Sequence, residues 1–440
     1  MSLPRYPEYR NSGVEWLGSI PAHWQTRRTK FLFELMKRPV AEGDGIVTAF
    51  RDGQVTLRSN RRVEGFTNAV QEVGYQGVRA GDLVIHAMDA FAGAIGVSDS
   101  DGKSTPVYSV CRARSDRANP HYYAGVLRYM ALGGFINSLA KGVRERSTDF
   151  RWVDAATLEL PLPPLAEQSA ICKFINRQVA RIDSLIAEQE KLLALLAEKR
   201  QATISHAVTR GLDPNVPMKD SGIDWLGEVP AHWDVVRLRR VASLNPSKTE
   251  IADTGNPDVA FLPMDAIGED GSIRREMERP LADLISGYSY FRNQDVVVAK
   301  ITPCFENGKG ALIADLPLGY GFGTTELIVV RSGTRLRPGF LWLALSSPVF
   351  RRLAEGAMYG AGGQKRVPDE FVRDYPLCVP PLDEQEAVVN AVSDQLSRFA
   401  VLRAKAEGAI SLLGERRAAL ISAAVTGQID VRGLLSEEAA

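Results

Sequence analysis

SGVEWLGSIPAHW occupies residues 12–24, and SGIDWLGEVPAHW occupies residues 221–233, identical at nine of thirteen positions. A second block begins with PPLAEQ at residue 163 and ends at residue 210. It recurs at 380–427 without a gap, and 21 of its 48 positions are identical. Such self-similarity indicates a duplicated structural unit. The chain therefore consists of block A (residues 12–24), a middle segment and block B (residues 163–210), followed by the same three parts again, with block A at 221–233 and block B at 380–427.

The two middle segments are far less alike than the blocks around them. Two short stretches of similarity remain: GDLVIHA at 81–87 resembles QDVVVAK at 294–300, and YSVCRARS at 108–115 resembles ELIVVRSG at 326–333. Runs rich in β-branched residues are typical of short buried strands. We therefore predict two α/β (α+β) domains that share a fold and differ in their surfaces. A duplicated frame with two diverged middles favours recognition over a single catalytic site.

Block B predicts a long helix in each half of the chain. Its PPL marks the start, because proline is tolerated in the first helical turn, and the first copy has no later proline or glycine before Thr209. As one helix, residues 165–209 would span about 67 Å, close to two turns of duplex DNA at about 34–36 Å each. Apolar residues at heptad spacing predict a two-helix seam. In the first copy this row is Cys172, Ile175, Val179, Ile182, Ile186, Gln189, Leu193 and Leu196. In the second copy it is Val389, Val392, Leu396, Phe399, Arg403, Ala406, Ile410 and Leu413. Gln189 and Arg403 are polar and are expected inside the seam.

The two long helices are expected to pair antiparallel, as a coiled coil in a pseudo-twofold and almost circular layout. An ordinary helical hairpin inside a globular core is the alternative. The blocks divide the chain into a first domain at 1–163, a central spacer helix at 164–210, a second domain at 211–379 and a C-terminal spacer helix at 380–440.

Composition limits the class of protein. The 440 residues are 45% hydrophobic and 24% charged, which is typical of globular protein. No apolar run reaches the roughly 18 residues of a membrane-spanning helix, and the N-terminal MSLPRYPEYR lacks the apolar core of a secretory signal. Cys111, Cys172, Cys304 and Cys378 have neither disulfide nor zinc-binding spacing. We therefore expect a cytoplasmic protein with no membrane partner.

Charge argues against a uniformly basic DNA-binding surface. The chain has 53 basic and 53 acidic residues; residues 1–163 carry 21 and 17 of them, and residues 211–379 carry 19 and 22. Proteins that bind duplex DNA normally show a basic footprint. Any contact with DNA must therefore depend on particular loops.

The repeated pattern SGxxWLGxxPxHW, a variable stretch, and PPLxEQ opening a long helix resembles the specificity subunits of type I restriction-modification systems. The resemblance covers essentially all 440 residues. It implies that each middle is a target recognition domain for one half of an asymmetric, bipartite site in double-stranded DNA. It also implies that the B helices set the spacing and dock two methyltransferase (modification) subunits, with restriction (translocase) subunits in the same assembly. Those partners would bind S-adenosylmethionine, ATP and Mg²⁺, and this chain would hold no cofactor.

A search for catalytic motifs finds only fragments. Asn245-Pro246-Ser247-Lys248 lacks the second proline and the aromatic residue of an adenine methyltransferase, and Gly102-Lys103-Ser104 lacks the first glycine of a phosphate-binding loop. Pro368-Asp369-Glu370 has no following ExK of a nuclease, and the five histidines form no metal-binding pattern. His23 and His232 lie in the repeated block A, so we interpret them as structural. We expect no metal site and no catalysis.

Candidate DNA contacts lie in loops of the two middles. Side chains that read sequence must reach base edges, whereas other basic groups hold phosphates. In the first middle the candidates come from RDGQVTLRSNRR, the loop after strand 82–86 and AKGVRERS: Arg51, Arg58, Arg61, Arg62, His86, Met88, Asp89, Lys141, Arg144 and Arg146. In the second they follow the equivalent strand or belong to GGQKR: Lys300, Thr302, Asn307, Lys309, Gln364, Lys365 and Arg366. Gln364 is suited to adenine, and Lys365 or Arg366 to guanine or phosphate.

Two other functions stay open on the sequence. One is a stand-alone DNA-modifying enzyme, which would show turnover by the purified chain. The other is a duplicated protein-interaction scaffold without DNA. Steeply salt-dependent binding to duplex DNA would argue against the scaffold.

Overall fold

A computed structural model describes residues 3–61, 72–139, 149–251, 255–361 and 363–434 of the chain. The chain divides into two compact units. Unit 1 comprises Met1–Gln189 with Gly408–Ala440, and unit 2 comprises Glu190–Glu407. Each unit therefore combines one block A and one middle segment with half of each B helix.

The described part of unit 1 has short strands, four short helices and the first half of a long helix. The strands are β1 (Tyr9–Asn11), β2 (Ser19–Pro21), β3 (Gln25–Arg28), β4 (Phe33–Leu35), β5 (Val47–Ala49), β6 (Val55–Leu57), β7 (Gln76–Val78), β8 (Leu83–His86), β9 (Ile95–Val97), β10 (Gly102–Ser104), β11 (Tyr108–Ala113) and β12 (Glu159–Leu162). The helices are α1 (Thr29–Leu32), α2 (Pro120–Leu132), α3 (Phe135–Leu139), α4 (Trp152–Ala155) and the long α5 (Leu165–Arg210).

Unit 2 follows the same plan and ends in the second long helix. The strands are β13 (Met218–Asp220), β14 (Glu228–Pro230), β15 (Asp234–Arg237), β16 (Ala242–Leu244), β17 (Asp258–Leu262), β18 (Glu278–Pro280), β19 (Ser289–Arg292), β20 (Val296–Ala299), β21 (Gly310–Leu312), β22 (Tyr320–Gly323), β23 (Leu327–Ser332) and β24 (Pro376–Val379). The helices are α6 (Leu281–Leu284), α7 (Pro338–Ser346), α8 (Pro348–Ala357), α9 (Asp369–Asp374) and α10 (Leu382–Val425).

Both middles are built on the same four-stranded antiparallel sheet. The strand order is β4-β11-β8-β9 in unit 1 and β16-β23-β20-β21 in unit 2. The two central strands of each sheet are the sequences whose similarity survives: His86 lies opposite Tyr108, and Ala299 lies opposite Leu327. All four residues of β20 are buried, as a run of β-branched and small residues favours. The predicted common fold is confirmed.

The middles differ in what surrounds this sheet. Unit 2 adds a second four-stranded sheet, in the order β18-β17-β22-β19, in which β17 and β22 run parallel. Unit 1 has the two-stranded pairs β5-β6 and β7-β10. The two middle segments thus share one sheet and differ in the strands and loops around it, as their dissimilar sequences indicate.

The long helices contribute opposite ends to each unit. In unit 1, Ile171 and Phe174 near the start of α5 share one hydrophobic core with Leu420 and Ala424 near the end of α10. In unit 2, the core holds residues near the end of α5 and the start of α10; they are Ile204, Ala207, Val208, Val388 and Val392. This pattern matches the predicted antiparallel pairing. No helix within the described ranges is both long and apolar enough to cross a membrane.

The seam is confirmed except at one position. Every member of the two heptad rows is at least partly buried apart from Arg403. That side chain is 56% exposed and lies 3.8 Å from Glu407 one turn later in α10. The expectation that Arg403 lies inside the seam was wrong, since a guanidinium on a long side chain can stay in water and pair along its own helix.

The C-terminal helix is shorter than the predicted 380–440. It ends at Val425, and Gly427 adopts a left-handed conformation with φ of 76°. A Cβ atom at Gly427 would lie 2.5 Å from Pro21, so only glycine fits this turn. The chain then runs back along block A, where the hydroxyl of Tyr9 donates to the Gly427 carbonyl at 3.0 Å and Asp430 N–H donates to the Pro4 carbonyl at 2.9 Å.

Candidate nucleic-acid interface

The glutamine of each PPLxEQ motif holds the middle segment against the long helix. Gln168 is fully buried; its Oε1 accepts the Asn119 N–H at 2.8 Å, and its Nε2 donates to the carbonyl oxygens of Arg117 and Pro163 at 2.8 and 2.9 Å. Gln385 repeats all three bonds in unit 2, with the N–H of Arg337 at 2.7 Å and the carbonyl oxygens of Arg335 and Pro380 at 3.0 and 2.8 Å. The motif is therefore a structural joint.

Replacing Gln168 with methionine should destabilise the chain. The substitution keeps the length of the side chain but removes its hydrogen bonds to one N–H group and two carbonyl oxygens, two of them part-buried and one buried, at a cost of about 2–4 kcal/mol. Urea unfolding of the full chain would show the loss as a lower midpoint. Gln201→Met, at an exposed position of α5, is the matched control and should leave the midpoint unchanged. Equal midpoints for the two variants would refute the role of the joint.

The glutamate of the motif binds block A. In unit 1, His23 Nε2 lies 2.7 Å from Glu167 Oε1, and the Trp24 indole N–H donates to Oε2 at 2.8 Å. In unit 2, His232 Nε2 lies 2.8 Å from Glu384. Both histidines therefore contact the frame, in agreement with the structural interpretation.

Each unit places the same two segments side by side. In unit 1 the Phe150 N–H, just before block B, donates to the Ala87 carbonyl at the exit of β8, at 3.1 Å. In unit 2 the Val367 N–H donates to the Lys300 carbonyl at the exit of β20, at 2.9 Å. The loop after the central strand and the segment before block B thus form one surface in each unit. Most of the sequence-predicted DNA contacts belong to these two segments.

The strand-exit loop of unit 1 brings three candidates together. Arg51 donates to Asp89 at 2.8 Å, and His86 Nδ1 accepts the Asp89 N–H at 2.9 Å. Burial lowers the pKa of His86; Asp89 opposes this shift and Arg51 adds to it. The ring is therefore neutral at pH 7, with the proton on Nε2. Met88 in the same loop is 48% exposed.

Two further arginine candidates of the stretch RDGQVTLRSNRR, Arg58 and Arg61, make local contacts. Arg61 donates to Asp52 at 2.6 Å, and its guanidinium lies 4.4 Å from the centre of the Phe50 ring. Arg58 Nε donates to the Thr48 hydroxyl at 3.3 Å. The other four basic candidates of the first middle lie outside the described residues; they are Arg62, Lys141, Arg144 and Arg146.

In unit 2 the strand-exit loop is bonded to the GGQKR segment. The Thr302 hydroxyl donates to the Gly363 carbonyl at 2.7 Å and accepts the Lys365 N–H at 3.0 Å. Gln364 and Lys365 are exposed beside it. These side chains therefore face solvent on a loop whose backbone is fixed, which is the arrangement that base reading requires.

Arg366 is held by a carboxylate that the sequence analysis missed. Its Nε and Nη2 atoms donate to the two oxygens of Glu326 at 3.0 and 2.8 Å, and 41% of its side chain stays exposed. The hydrogen bond from Arg366 lowers the pKa of Glu326, to which Lys300 adds a smaller effect. Lys309 donates to the Met264 carbonyl at 2.8 Å and so ties two loops together, whereas Asn307 is exposed.

A groove beside Met88 in unit 1 was also missed. Its volume is about 880 Å³, and its walls include the basic Lys37 and Arg151 and the aromatic Tyr75 and Trp152. The alternation of basic and aromatic residues just before block B, in the sequence Phe150-Arg151-Trp152, is the signal that would have indicated it. The groove extends the surface formed by the strand-exit loop.

The described residues offer little for catalysis. They contain no group of three or more side chains that could bind a metal ion. The four cysteines are free thiols, and burial raises the pKa of Cys172 to about 11 and that of Cys378 to about 12. Such thiols are protonated and unreactive at neutral pH.

Known proteins resemble this chain in sequence and in fold. The chain is 41% identical over 173 residues to the type I restriction enzyme EcoAI specificity subunit, and 37% identical over 169 residues to the EcoEI specificity subunit, both of Escherichia coli. Both of these similar proteins are specificity subunits of type I restriction enzymes. The two matches cover 39% and 38% of this chain but only 29% and 28% of those proteins, so less than a third of their length is spanned. No family model matches.

A solved structure shares the fold of this chain. A chain from work on "complex assembly and conformational transition of the type I R-M system" superposes with a TM-score of 0.63 at 18% identity, over 93% of this chain and 99% of that chain. The two chains therefore share a fold of two α/β domains with long helices.

Proposed function

We propose that this chain is the DNA-reading subunit of a type I restriction-modification assembly. Each unit binds one half of an asymmetric, bipartite duplex site, and α5 and α10 set the distance between the halves. The observation that carries the proposal is the repeated surface: each unit joins the loop after its central strand to the segment before block B, on the same frame. The similarity to specificity subunits supports it.

The chain itself does no chemistry in this proposal. Two methyltransferase subunits dock on the long helices, bind S-adenosylmethionine and methylate adenine. Restriction subunits supply ATP-driven translocation with Mg²⁺, and the assembly works in the cytoplasm. The absence of a catalytic motif from the sequence is consistent with this division of labour.

Two of the arginines proposed to read DNA are paired with carboxylates, so they add no net charge to their units. Arg51 with Asp89, and Arg366 with Glu326, each have a guanidinium fixed by an acidic partner. The carboxylate orients the arginine and repels phosphate, so the free N–H groups are directed to base edges, where guanine O6 and N7 are the best acceptors. We therefore assign these two arginines to guanine.

The other side chains have supporting roles. Gln364 is assigned to adenine. Lysines and arginines around the two surfaces hold phosphates. They are the exposed Lys37, Arg151 and Lys365 and the half-buried Lys300. The remaining candidates flank the sites. Thr302 and Lys309 position the unit 2 loops through their own hydrogen bonds.

Arg366→Ala is expected to weaken binding of the cognate duplex about tenfold to a hundredfold, and to relax the preference for guanine at one position of one half-site. Glu326→Gln should relax the same preference with a smaller loss of affinity, because the arginine stays but is no longer fixed. Competition binding with duplexes altered one base pair at a time measures both effects. Arg352→Ala, at an exposed position of α8 in the same unit, should change neither, and an unaltered base preference for Arg366→Ala would reject this assignment.

Selection from a random duplex library tests the function. The chain assembled with its methyltransferase subunits should enrich two short motifs at a fixed separation, and its affinity should fall steeply with salt. Turnover by the purified chain, with S-adenosylmethionine or with Mg²⁺ and ATP, would instead favour the stand-alone enzyme. An assembled complex that enriches no sequence would favour a scaffold without DNA.

A further inference from the structure

A second groove in unit 1 has the size and polarity of a small-molecule site. It lies between α2 and those parts of α5 and α10 that belong to unit 1, and its volume is about 630 Å³. Small-molecule sites typically span about 300–1,000 Å³ with apolar walls and a few polar groups. None of its lining residues is a candidate DNA contact. The apolar walls include Ile95, Tyr122, Tyr129, Ile175 and Ile421.

Arg128 brings a positive charge to this groove without a carboxylate partner. The guanidinium is half-buried, and one of its nitrogens, Nη1, faces the carbonyl oxygens of Arg51, at 3.1 Å, and of Gly93. Among the residues that the structure describes, no carboxylate forms an ion pair with it. Burial lowers the pKa of Arg128; Asp52 opposes this effect, and the like charge of Arg417 adds to it. A half-buried charge of this kind is stabilised by a counter-ion.

The other charges at the rim balance one another. Asp52 is paired with Arg61 at 2.6 Å, and Arg417 is paired with Asp183 at 2.7 Å. Arg128 is therefore left as a net charge of one beside two aromatic rings, Tyr122 and Tyr129. This combination is complementary to a flat apolar molecule that carries one negative charge.

Unit 2 differs at the equivalent place. Ala124 lies five residues after Asn119, whose N–H is bound by Gln168, and Trp342 lies five residues after Arg337, whose N–H is bound by Gln385. The Trp342 ring packs on Gly271 and Gly310, whose added Cβ atoms would lie 2.9 and 3.1 Å from it. Unit 2 thus places its own indole where unit 1 has a methyl group, so we expect the site in unit 1.

We propose that this groove binds a small aromatic anion, with the ring against the apolar wall and the charge at Arg128. The class is a monovalent aromatic carboxylate or sulfonate. The proposal does not depend on DNA binding, because the groove shares no residue with the candidate interface. The ligand would therefore bind to unit 1 and not to unit 2, although the two units share a fold.

Calorimetry of the full chain with naphthalene-2-sulfonate tests the proposal. We expect one equivalent to bind, and the neutral naphthalene-2-sulfonamide to bind at least tenfold more weakly. Ala419→Trp, on the groove wall, should abolish binding, whereas Ala202→Trp, at the equivalent exposed position of α5, should not. Arg128→Gln should weaken binding about tenfold, because a charge-assisted hydrogen bond contributes roughly this much. Arg200→Gln, on the part of α5 that belongs to unit 2, should leave binding unchanged.

Three results would overturn the site. They are no binding by the unmodified chain, equal binding of the sulfonate and the sulfonamide, and unchanged binding by Ala419→Trp. Matching thermal unfolding midpoints for the two tryptophan variants would show that any loss is local to the groove.

Discussion

Exchanging residues 32–160 for the corresponding segment of a relative with a different target is expected to replace one half of the recognised DNA site completely. The segment contains the β4-β11-β8-β9 sheet and the loops that carry Arg51 and Asp89. It leaves α5, α10 and the glutamine joint in place, and Gln168 binds only backbone atoms of the exchanged part. The hydrogen bonds of this glutamine therefore do not depend on the side chains of the exchanged segment. Mapping the modified bases of host DNA measures the outcome.

The second middle supplies the matched control for this exchange. Replacing residues 241–376 in the same way should change the opposite half-site and leave the first unchanged. If either exchange altered both halves, or neither, the two units would not read DNA independently, and the modular account would fail.

Lengthening both long helices at the boundaries between the units should widen the gap between the half-sites. The boundaries fall between Gln189 and Glu190 in α5, and between Glu407 and Gly408 in α10. Four added residues lengthen a helix by about 6 Å, which corresponds to about two base pairs at roughly 3.4 Å each. The modified motif should keep both half-sites and gain that spacing.

Substituting alanine for four exposed residues around the same boundaries, without an insertion, is the control for the helix insertion. It should leave the gap unchanged. An unchanged gap after both insertions would show that the helices do not set the distance.

Features that repeat in the sequence were predictable, because local pattern determines them. The nine identities of block A and the PPLxEQ motif located the frame, and the run without proline or glycine after PPL located the helix Leu165–Arg210. The echo between GDLVIHA and QDVVVAK located the central strands. Each of these signals lies within a short stretch of chain.

Features that depend on distant residues were not predictable. Glu326 precedes Arg366 by 40 residues, and only the fold brings the pair together. Lys309 is a predicted DNA contact because it follows a strand, but the bond from its ammonium to the Met264 carbonyl, 45 residues earlier, could not be predicted. The helix end at Val425 depends on the fit of Gly427 against Pro21. Such tertiary contacts leave no periodic signal in one sequence.

The most direct test is base-modification sequencing of genomic DNA from cells that produce this chain with the methyltransferase subunit proposed as its partner. The account predicts a modified, asymmetric bipartite motif with a fixed gap, which disappears when this chain is omitted. An active, bound partner that leaves the genome without such a motif, or that modifies the same motif without this chain, would contradict it.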